Sequence, residues 1–199
     1  MMLIEQAPVP QAALPVAEFK DHLRLGTGFA DDGRQDALAE SYLRAALAAI
    51  EGRIGKALIQ RVFWLELADW RAPGEQPLPL APVQAVTSVT LVDREGAEVA
   101  VAPARWRLVK DVQRPRIVPV GLLLPQVPQD GAVEIVFTAG FGPAWADVPA
   151  DLRQAVLLLA AQYYELRHEG GAAAGAMPFG VMALIERWRT VRVLGGGVA

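Results

Sequence analysis

The stretch VEIVFTAGFGPAWADVPADLRQAVLLLAAQYYELR, residues 133–167, decides the fold of this chain. Its opening VEIVF places Val, Ile and Phe at every second position, and this period of two predicts a strand. The glycines of TAGFG then turn the chain. Pro149 at the front and Asp151 in the first turn predict a helix that runs to about His168.

The centre of this helix, AVLLLAA at residues 155–161, is apolar on every side. One apolar stripe is enough for a helix on the surface of a monomer. We therefore expect the second face to pack against another subunit, with Leu158 and Tyr164 at the contact. The alternative is a central helix of a monomeric bundle, covered on all sides by its own chain.

Two helices are predicted before this stretch. Pro15 fits the first turn of a short helix over residues 16–25. The second helix has Asp32 as its N-cap, and Gln35 three residues later resembles the partner of a capping box. Its apolar residues recur at spacings of three and four until Gly55, which predicts an amphipathic helix.

The period changes to two between the helical ends of the chain. The DREG turn at Asp93–Gly96 predicts a β-hairpin, because its glycine can take the positive φ that such a loop needs. The predicted strands cover residues 58–70, 83–92, 99–101, 106–109, 117–120 and 133–137.

The order helix, helix, strands, helix, helix predicts an α+β fold. We expect a helical scaffold of about four helices, two at each end of the chain, with an inserted small antiparallel β-domain. Residues 1–57 then form the N-terminal helices of the scaffold, and residues 58–138 form the inserted domain. Residues 139–199 supply the C-terminal helices and a flexible tail.

A final helix is predicted over residues 179–193, with Arg187, Arg189 and Arg192 around Trp188. One interpretation is a docking element, in which the tryptophan is an apolar anchor and the arginines pair with acidic groups of a partner. The other is a final core helix with a buried tryptophan and solvated arginines. The two are not exclusive.

Both termini carry Gly or Pro and offer little to bury. We predict that an extended arm over residues 1–14 and the Gly-rich tail GGGVA become ordered only on assembly. The N-terminus also lacks the basic and apolar regions of a secretory signal.

The amino-acid composition limits the classes of function that are possible. Hydrophobic residues make up 53% of the 199 residues, which indicates a packed, folded protein. There is no cysteine, so disulfides and thiolate chemistry are excluded. A net charge of −3 provides no general attraction for nucleic acid. The longest apolar run is too short to span a bilayer, so we expect a soluble, cytoplasmic protein without membrane contact.

The sequence contains no recognisable catalytic site. His22 and His168 lie near the ends of separate predicted helices, with no carboxylate at ligand spacing. Asp31, Asp32 and Asp36 lack the EF-hand pattern and suit helix capping. No P-loop and no GxSxG elbow is present. We predict no enzyme, metal or cofactor; a hydrolase would need a histidine or a carboxylate pair to converge in a pocket.

Five segments, in their order and spacing, resemble the phage head–tail connector (adaptor) family, including the adaptors of gene transfer agents. They cover nearly the whole chain, from about residue 14 to residue 194. The segments are LPVAEFKDHLRL (14–25), DALAESYLRAALAAIEGRIGKAL (36–58), LPLAPVQAVTSVTLVDREG (78–96), FTAGFG with VPADLRQAVLLLAAQYYELRHE (137–142 and 148–169) and PFGVMALIERWRTVRVL (178–194).

The resemblance implies a structural protein at the head–tail junction of a virion or phage-like particle, assembled in the bacterial cytoplasm. It implies a ring, usually of twelve copies, between the portal protein and a tail-side stopper or terminator protein. Double-stranded DNA would pass through the ring. Simpler members of the family are nearly all helical, so the β-domain resembles only a subset of them.

We expect the portal or subunit interface to include the C-terminal cluster of arginines and Trp188, together with two residues of the long apolar helix. The alternative is a DNA-binding regulatory protein that uses the same arginine-rich helix, with salt-dependent binding to duplex DNA. The predicted interface residues are Arg187, Trp188, Arg189, Arg192, Leu158 and Tyr164.

Overall fold

The computed structural model describes residues 1–23, 34–168 and 177–189. Within these ranges the chain has an α+β fold, as predicted. The helices are α1 (Val16–His22), α2 (Arg34–Ile54), α3 (Ala150–Glu165) and α4 (Phe179–Ile185). The strands are β1 (Met2–Glu5), β2 (Arg61–Leu67), β3 (Gln76–Pro77), β4 (Val83–Val92), β5 (Glu98–Ala100), β6 (Trp106–Val109), β7 (Arg116–Pro119) and β8 (Ala132–Ala139).

The strands form two antiparallel sheets. The larger has the order β1-β2-β8-β4-β5 and the smaller the order β3-β7-β6. Alternate residues of β8 are buried, as the period of two predicts: Val133, Ile135 and Phe137 face the core. Phe137 lies opposite Phe63 of β2, and their rings stack with centroids 5.7 Å apart.

The chain has two apolar cores. One lies among the strands, and the other lies between the helices, with α3 at its centre. Helix α3 packs against α1, α2 and α4. Every apolar side chain from Ala155 to Ala161 is buried within the chain except Leu158, which is half-buried. The prediction that α3 keeps a whole face for another subunit is therefore wrong. Three helices of the same chain cover its apolar side chains, as in the central helix of a bundle, and a mostly polar stripe through Gln154, Leu158 and Glu165 still reaches solvent.

The N-terminal segment is part of the fold, and the prediction of an arm without order over residues 1–14 is wrong. β1 pairs with β2 at the edge of the larger sheet. Val9, Ala13 and Leu14 are buried against the helices, and Arg44 donates a 2.8 Å hydrogen bond to the carbonyl oxygen of Val9. The larger sheet thus recruits a strand from outside residues 58–138.

Several predicted boundaries shift. Pro15 is the N-cap of α1 and does not lie in its first turn. α2 ends as predicted, with Gly55 at φ 67°. α4 ends at Ile185 and continues as the short 3-10 helix Glu186–Trp188. The predicted helix N-cap at Asp32, the residues from 190 to 193 and the Gly-rich tail lie outside the described residues.

Among the described helices, none is long and apolar enough to cross a membrane. The middle of α3 is strongly apolar, but α3 has only 16 residues. A membrane-spanning helix needs about 20.

Candidate docking site around the C-terminal helix

The TAGFG turn holds the start of the site in place. Gly140 has φ 133°, and a Cβ atom there would collide with the backbone of Gln60, so only glycine fits. The Phe141 N–H donates to the Leu58 carbonyl (3.1 Å), and the Gln60 N–H donates to the Gly142 carbonyl (2.8 Å). The turn is thereby fixed to the segment before β2, and it directs Phe141 toward the C-terminal helix.

Trp188 anchors the end of the C-terminal segment to the rest of the chain. Its indole N–H donates a 2.6 Å hydrogen bond to Oδ2 of Asp151 in the first turn of α3. Its ring meets Phe141 edge to face, with centroids 5.4 Å apart and an interplanar angle of 84°. The tryptophan is half-buried. Within a single subunit, Trp188 therefore packs against its own chain, as the interpretation of a final core helix expects.

Asp151 is the acidic centre of this arrangement. The Nε atom of Arg187 lies 2.7 Å from its Oδ2 atom. Burial raises the pKa of Asp151, but the hydrogen bonds from Trp188 and Arg187 outweigh burial, and its pKa lies below the ordinary value. The carboxylate is therefore charged at neutral pH and holds the two C-terminal side chains together.

The arginines of the cluster differ in their surroundings. Arg187 is 70% exposed although it contacts Asp151. Arg189 pairs with Glu186 one turn earlier, at 3.1 Å. Arg192 lies outside the described residues. Both described arginines thus already have an acidic partner in their own chain, and both still reach solvent.

The two predicted interface residues of α3 lie on different faces. Leu158 follows Asp151 by seven residues, or about two turns, and shares its face of the helix. Tyr164 follows Leu158 by six residues and points elsewhere; its ring meets Tyr42 edge to face, with centroids 5.9 Å apart. The Arg167 guanidinium also lies 4.1 Å from the centre of the Tyr164 ring. The fold thus places Leu158, but not Tyr164, on the face of α3 that carries Asp151, the partner of Trp188.

A buried ion pair joins the helices to the larger sheet, and sequence reasoning missed it. Arg61 of β2 pairs with Glu51 of α2, with an Nη2–Oε2 distance of 2.6 Å. Its Nε atom lies 2.9 Å from Oε1 of Glu5 in β1. Burial alone lowers the pKa of Arg61, but Glu51 and Glu5 outweigh it and raise the pKa above its ordinary value. One arginine thus links β2 both to α2, the element before it, and to β1 at the start of the chain.

A buried lysine joins the helices to the smaller sheet. Lys56, fully buried just after α2, donates 2.8 Å and 2.7 Å hydrogen bonds to the Val112 carbonyl and to Oε1 of Gln113. Burial lowers its pKa, and Asp111 partly offsets this. The only sequence signal was a lysine in the GKAL segment of a chain with three lysines.

An apolar groove of about 320 Å³ lies between the end of α2 and α4. A polar cleft of about 350 Å³ lies near the turn after β4, where the Asp93 carboxylate accepts hydrogen bonds from the N–H groups of Glu95 and Ala97. That carboxylate therefore stabilises the turn itself. The groove is lined by Arg53, Phe179, Met182, Ala183, Ile185, Glu186 and Arg189.

The residues considered for metal binding are dispersed. His22 is exposed at the end of α1, and Asp36 pairs with Lys20 at 2.7 Å. Asp31, Asp32 and the side chain of His168 lie outside the described residues. In the described ranges, no group of three or more His, Asp or Glu side chains is arranged to hold a metal ion.

Similar chains occur in solved particles. A chain in the neck of an empty gene transfer agent particle, computed with C6 symmetry, is 66% identical with a TM-score of 0.89. One in the virion of a native gene transfer agent particle is 66% identical with a TM-score of 0.86. One in the neck of a native particle, computed with C12 symmetry, is 61% identical with a TM-score of 0.85.

Each alignment covers 98% of this chain and 99% of the other. No protein-family model and no curated protein matches the chain.

Proposed function

Since the chain belongs to the head–tail connector (adaptor) family of gene transfer agent necks, we propose that it forms a ring of twelve copies between the portal and a tail-side stopper or terminator protein. The observation that supports this is 66% identity to a neck subunit over 98% of the chain, with the same fold. It is a structural component of the head–tail junction of a phage-like particle. C12 symmetry in a related neck supports the copy number.

The proposed portal contact is the exposed side of the C-terminal segment. Trp188 holds that segment against α3 through Asp151 and Phe141, so it positions the contact and is not itself fully available. Arg187 and Arg189 project from this support into solvent. A planar guanidinium that already has one carboxylate partner retains donors for a second one. We therefore assign acidic portal groups as the partners of these arginines.

Arg192 extends the same basic segment in the sequence. Leu158, half-buried on the Asp151 face of α3, is proposed to flank the contact, and Tyr164, half-buried on another face, is proposed to lie between neighbouring subunits. In either position they would lose their remaining solvent exposure on assembly.

DNA is proposed to pass through the ring without being held. The chain carries a net charge of −3, and a channel for transit must not grip phosphate. The likeness to neck subunits over 98% of the chain weakens the alternative of a DNA-binding regulator. The likeness to a chain of a particle neck also suggests that this protein has a structural role and not a catalytic one.

The portal contact is tested with two matched arginines. Arg187 is 70% exposed and Arg94, in the hairpin turn, is 69% exposed, and both pair with a carboxylate. Binding of the full chain to the portal protein of the same particle is measured by size-exclusion chromatography. We expect Arg187→Ala to weaken binding about tenfold or more, and Arg94→Ala to leave it unchanged. Equal binding by both variants would overturn the proposed contact, and no binding by the unaltered chain would overturn the connector role.

A further inference from the structure

An exposed apolar tip follows β7. Leu122 is 95% exposed, Leu123 62% and Val120 60%. These three residues lie within four positions of one another, in the segment that directly follows β7. A contiguous exposed apolar patch in a folded subunit indicates a surface that a partner covers.

The tip is held in place by its flanks. The Val120 N–H donates to the Arg105 carbonyl (3.0 Å), and the Leu124 N–H donates to the Pro73 carbonyl (2.8 Å). Leu124 is itself buried in the core of the β-domain. The backbone therefore fixes the two exposed leucines outward, and a partner gains their contact without ordering a loose loop.

The apolar groove between α2 and α4 has the complementary form. Phe179 on its edge is 82% exposed, and Met182 and Ile185 form its apolar floor. Arg53 and Arg189 provide a polar rim. An apolar pocket with a polar rim accepts an apolar anchor and excludes water around it.

The tip does not occupy the groove of its own subunit. The described residues that line the groove belong to the end of α2, to α4 and to the segment just after α4, and none comes from the tip. Leu122 and Leu123 stay exposed. Both surfaces are therefore uncovered within one subunit.

We propose that the tip at Leu122 and Leu123 of one copy occupies the α2–α4 groove of the neighbouring copy in the ring. A ring subunit must present two unlike surfaces that fit each other, because each contact joins the front of one copy to the back of the next. The tip and the groove are such a pair. The segment PVGLLLP at residues 119–125 carries no charge, so it places no ionised group in the apolar floor. The inference rests on the proposed ring.

The chain contains no cysteine, which makes disulfide crosslinking a clean test. The double variant Leu122→Cys with Ala183→Cys is assembled with the portal protein and oxidised. We expect a ladder of connector multimers on a non-reducing gel, lost on reduction. Each single variant, and the control Leu122→Cys with Glu95→Cys, should give no ladder, because Glu95 lies in the exposed hairpin turn.

The outcomes separate this inference from the ring itself. If the double cysteine variant forms rings on the portal but gives no ladder of crosslinked multimers, the tip-and-groove contact is wrong and the proposed ring is unaffected. A crosslink between Leu122→Cys and the portal protein would also overturn it. Absence of any ring with the unaltered chain would overturn both.

A second variant tests the contact without a crosslink. Leu122→Ser with Leu123→Ser removes apolar side chains that are mostly exposed in the subunit, so folding should be unchanged. We expect the connector concentration for half-assembly on the portal to rise about tenfold or more. Unchanged assembly would contradict the proposal.

Discussion

Two leucine triplets, Leu122–Leu124 and Leu157–Leu159, have opposite surroundings in this subunit. Leu157 and Leu159 are buried because three other helices of the same chain pack against α3. In the loop triplet only Leu124 is buried. A run of apolar residues thus does not by itself reveal whether the chain buries it or leaves it exposed. Only the fold distinguishes the two cases.

The largest effect should come from breaking the buried triplet. Leu159→Ala leaves a cavity inside the helical core, so we expect the free energy of unfolding to fall by about 3–5 kcal/mol. Leu122→Ala, the matched change in the exposed triplet, should alter it by less than about 0.5 kcal/mol. Urea denaturation of the isolated subunit measures both. Similar losses for the two variants would contradict the different burial of Leu159 and Leu122.

The same contrast between buried and exposed partners applies to ion pairs. Glu51→Ala leaves Arg61 as a buried charge without its main partner, which we expect to cost about 3 kcal/mol of stability. Glu95→Ala breaks an exposed pair with Arg94 and should cost less than about 1 kcal/mol. Thermal unfolding monitored by circular dichroism ranks the two. If Glu95→Ala is the more damaging change, the buried pair does not join the helices to the sheet.

A substitution of Trp188 tests whether the C-terminal segment stabilises the isolated subunit or serves only to bind a partner. Trp188→Phe keeps an aromatic ring near Phe141 but removes the hydrogen bond to Asp151, so we expect a loss of about 1–2 kcal/mol. Trp106→Phe is the control, because its indole N–H reaches the Val101 carbonyl at 3.4 Å and should contribute less. An unaffected Trp188→Phe subunit would show that the tryptophan serves only a partner.

The smallest effect is a dependence on pH. The folded-state pKa of Asp151 is lowered, so its stabilising contribution is complete above its unfolded pKa of about 3.9 and is lost as the pH falls through the folded value. We expect the stability difference between the unaltered chain and Asp151→Asn to be constant from pH 5 to pH 7 and to shrink below about pH 4. A difference that grows in acid would reverse the assigned sign.

Short-range patterns in the sequence predicted much of the fold. The predicted strand over residues 83–92 matches β4, and Gly55 follows the end of α2 with the positive φ expected of a helix C-terminus. In both places the pattern and its cause lie within one element. β1 was missed because its four residues, MLIE, become a strand only by pairing with β2, which is distant in sequence.

The site was predicted in part. The C-terminal arginines and Trp188 were identified. The attachment of Trp188 to Asp151 and Phe141, however, depends on contacts with residues 37 and 47 positions earlier in the sequence, which no local pattern reveals. Lys56 was missed for the same reason, since its partners lie in the loop before β7. The exposed leucines carry no sequence signal either, because burial depends on which elements the fold brings beside them.

The proposed ring holds twelve connector subunits on the portal. Native mass spectrometry of the portal complex formed with the unaltered chain measures the number of bound copies directly. We expect a dominant species that carries twelve copies of this 21.4 kDa chain. Portal complexes that bind no connector, or a spread of copy numbers without a closed ring, would contradict it.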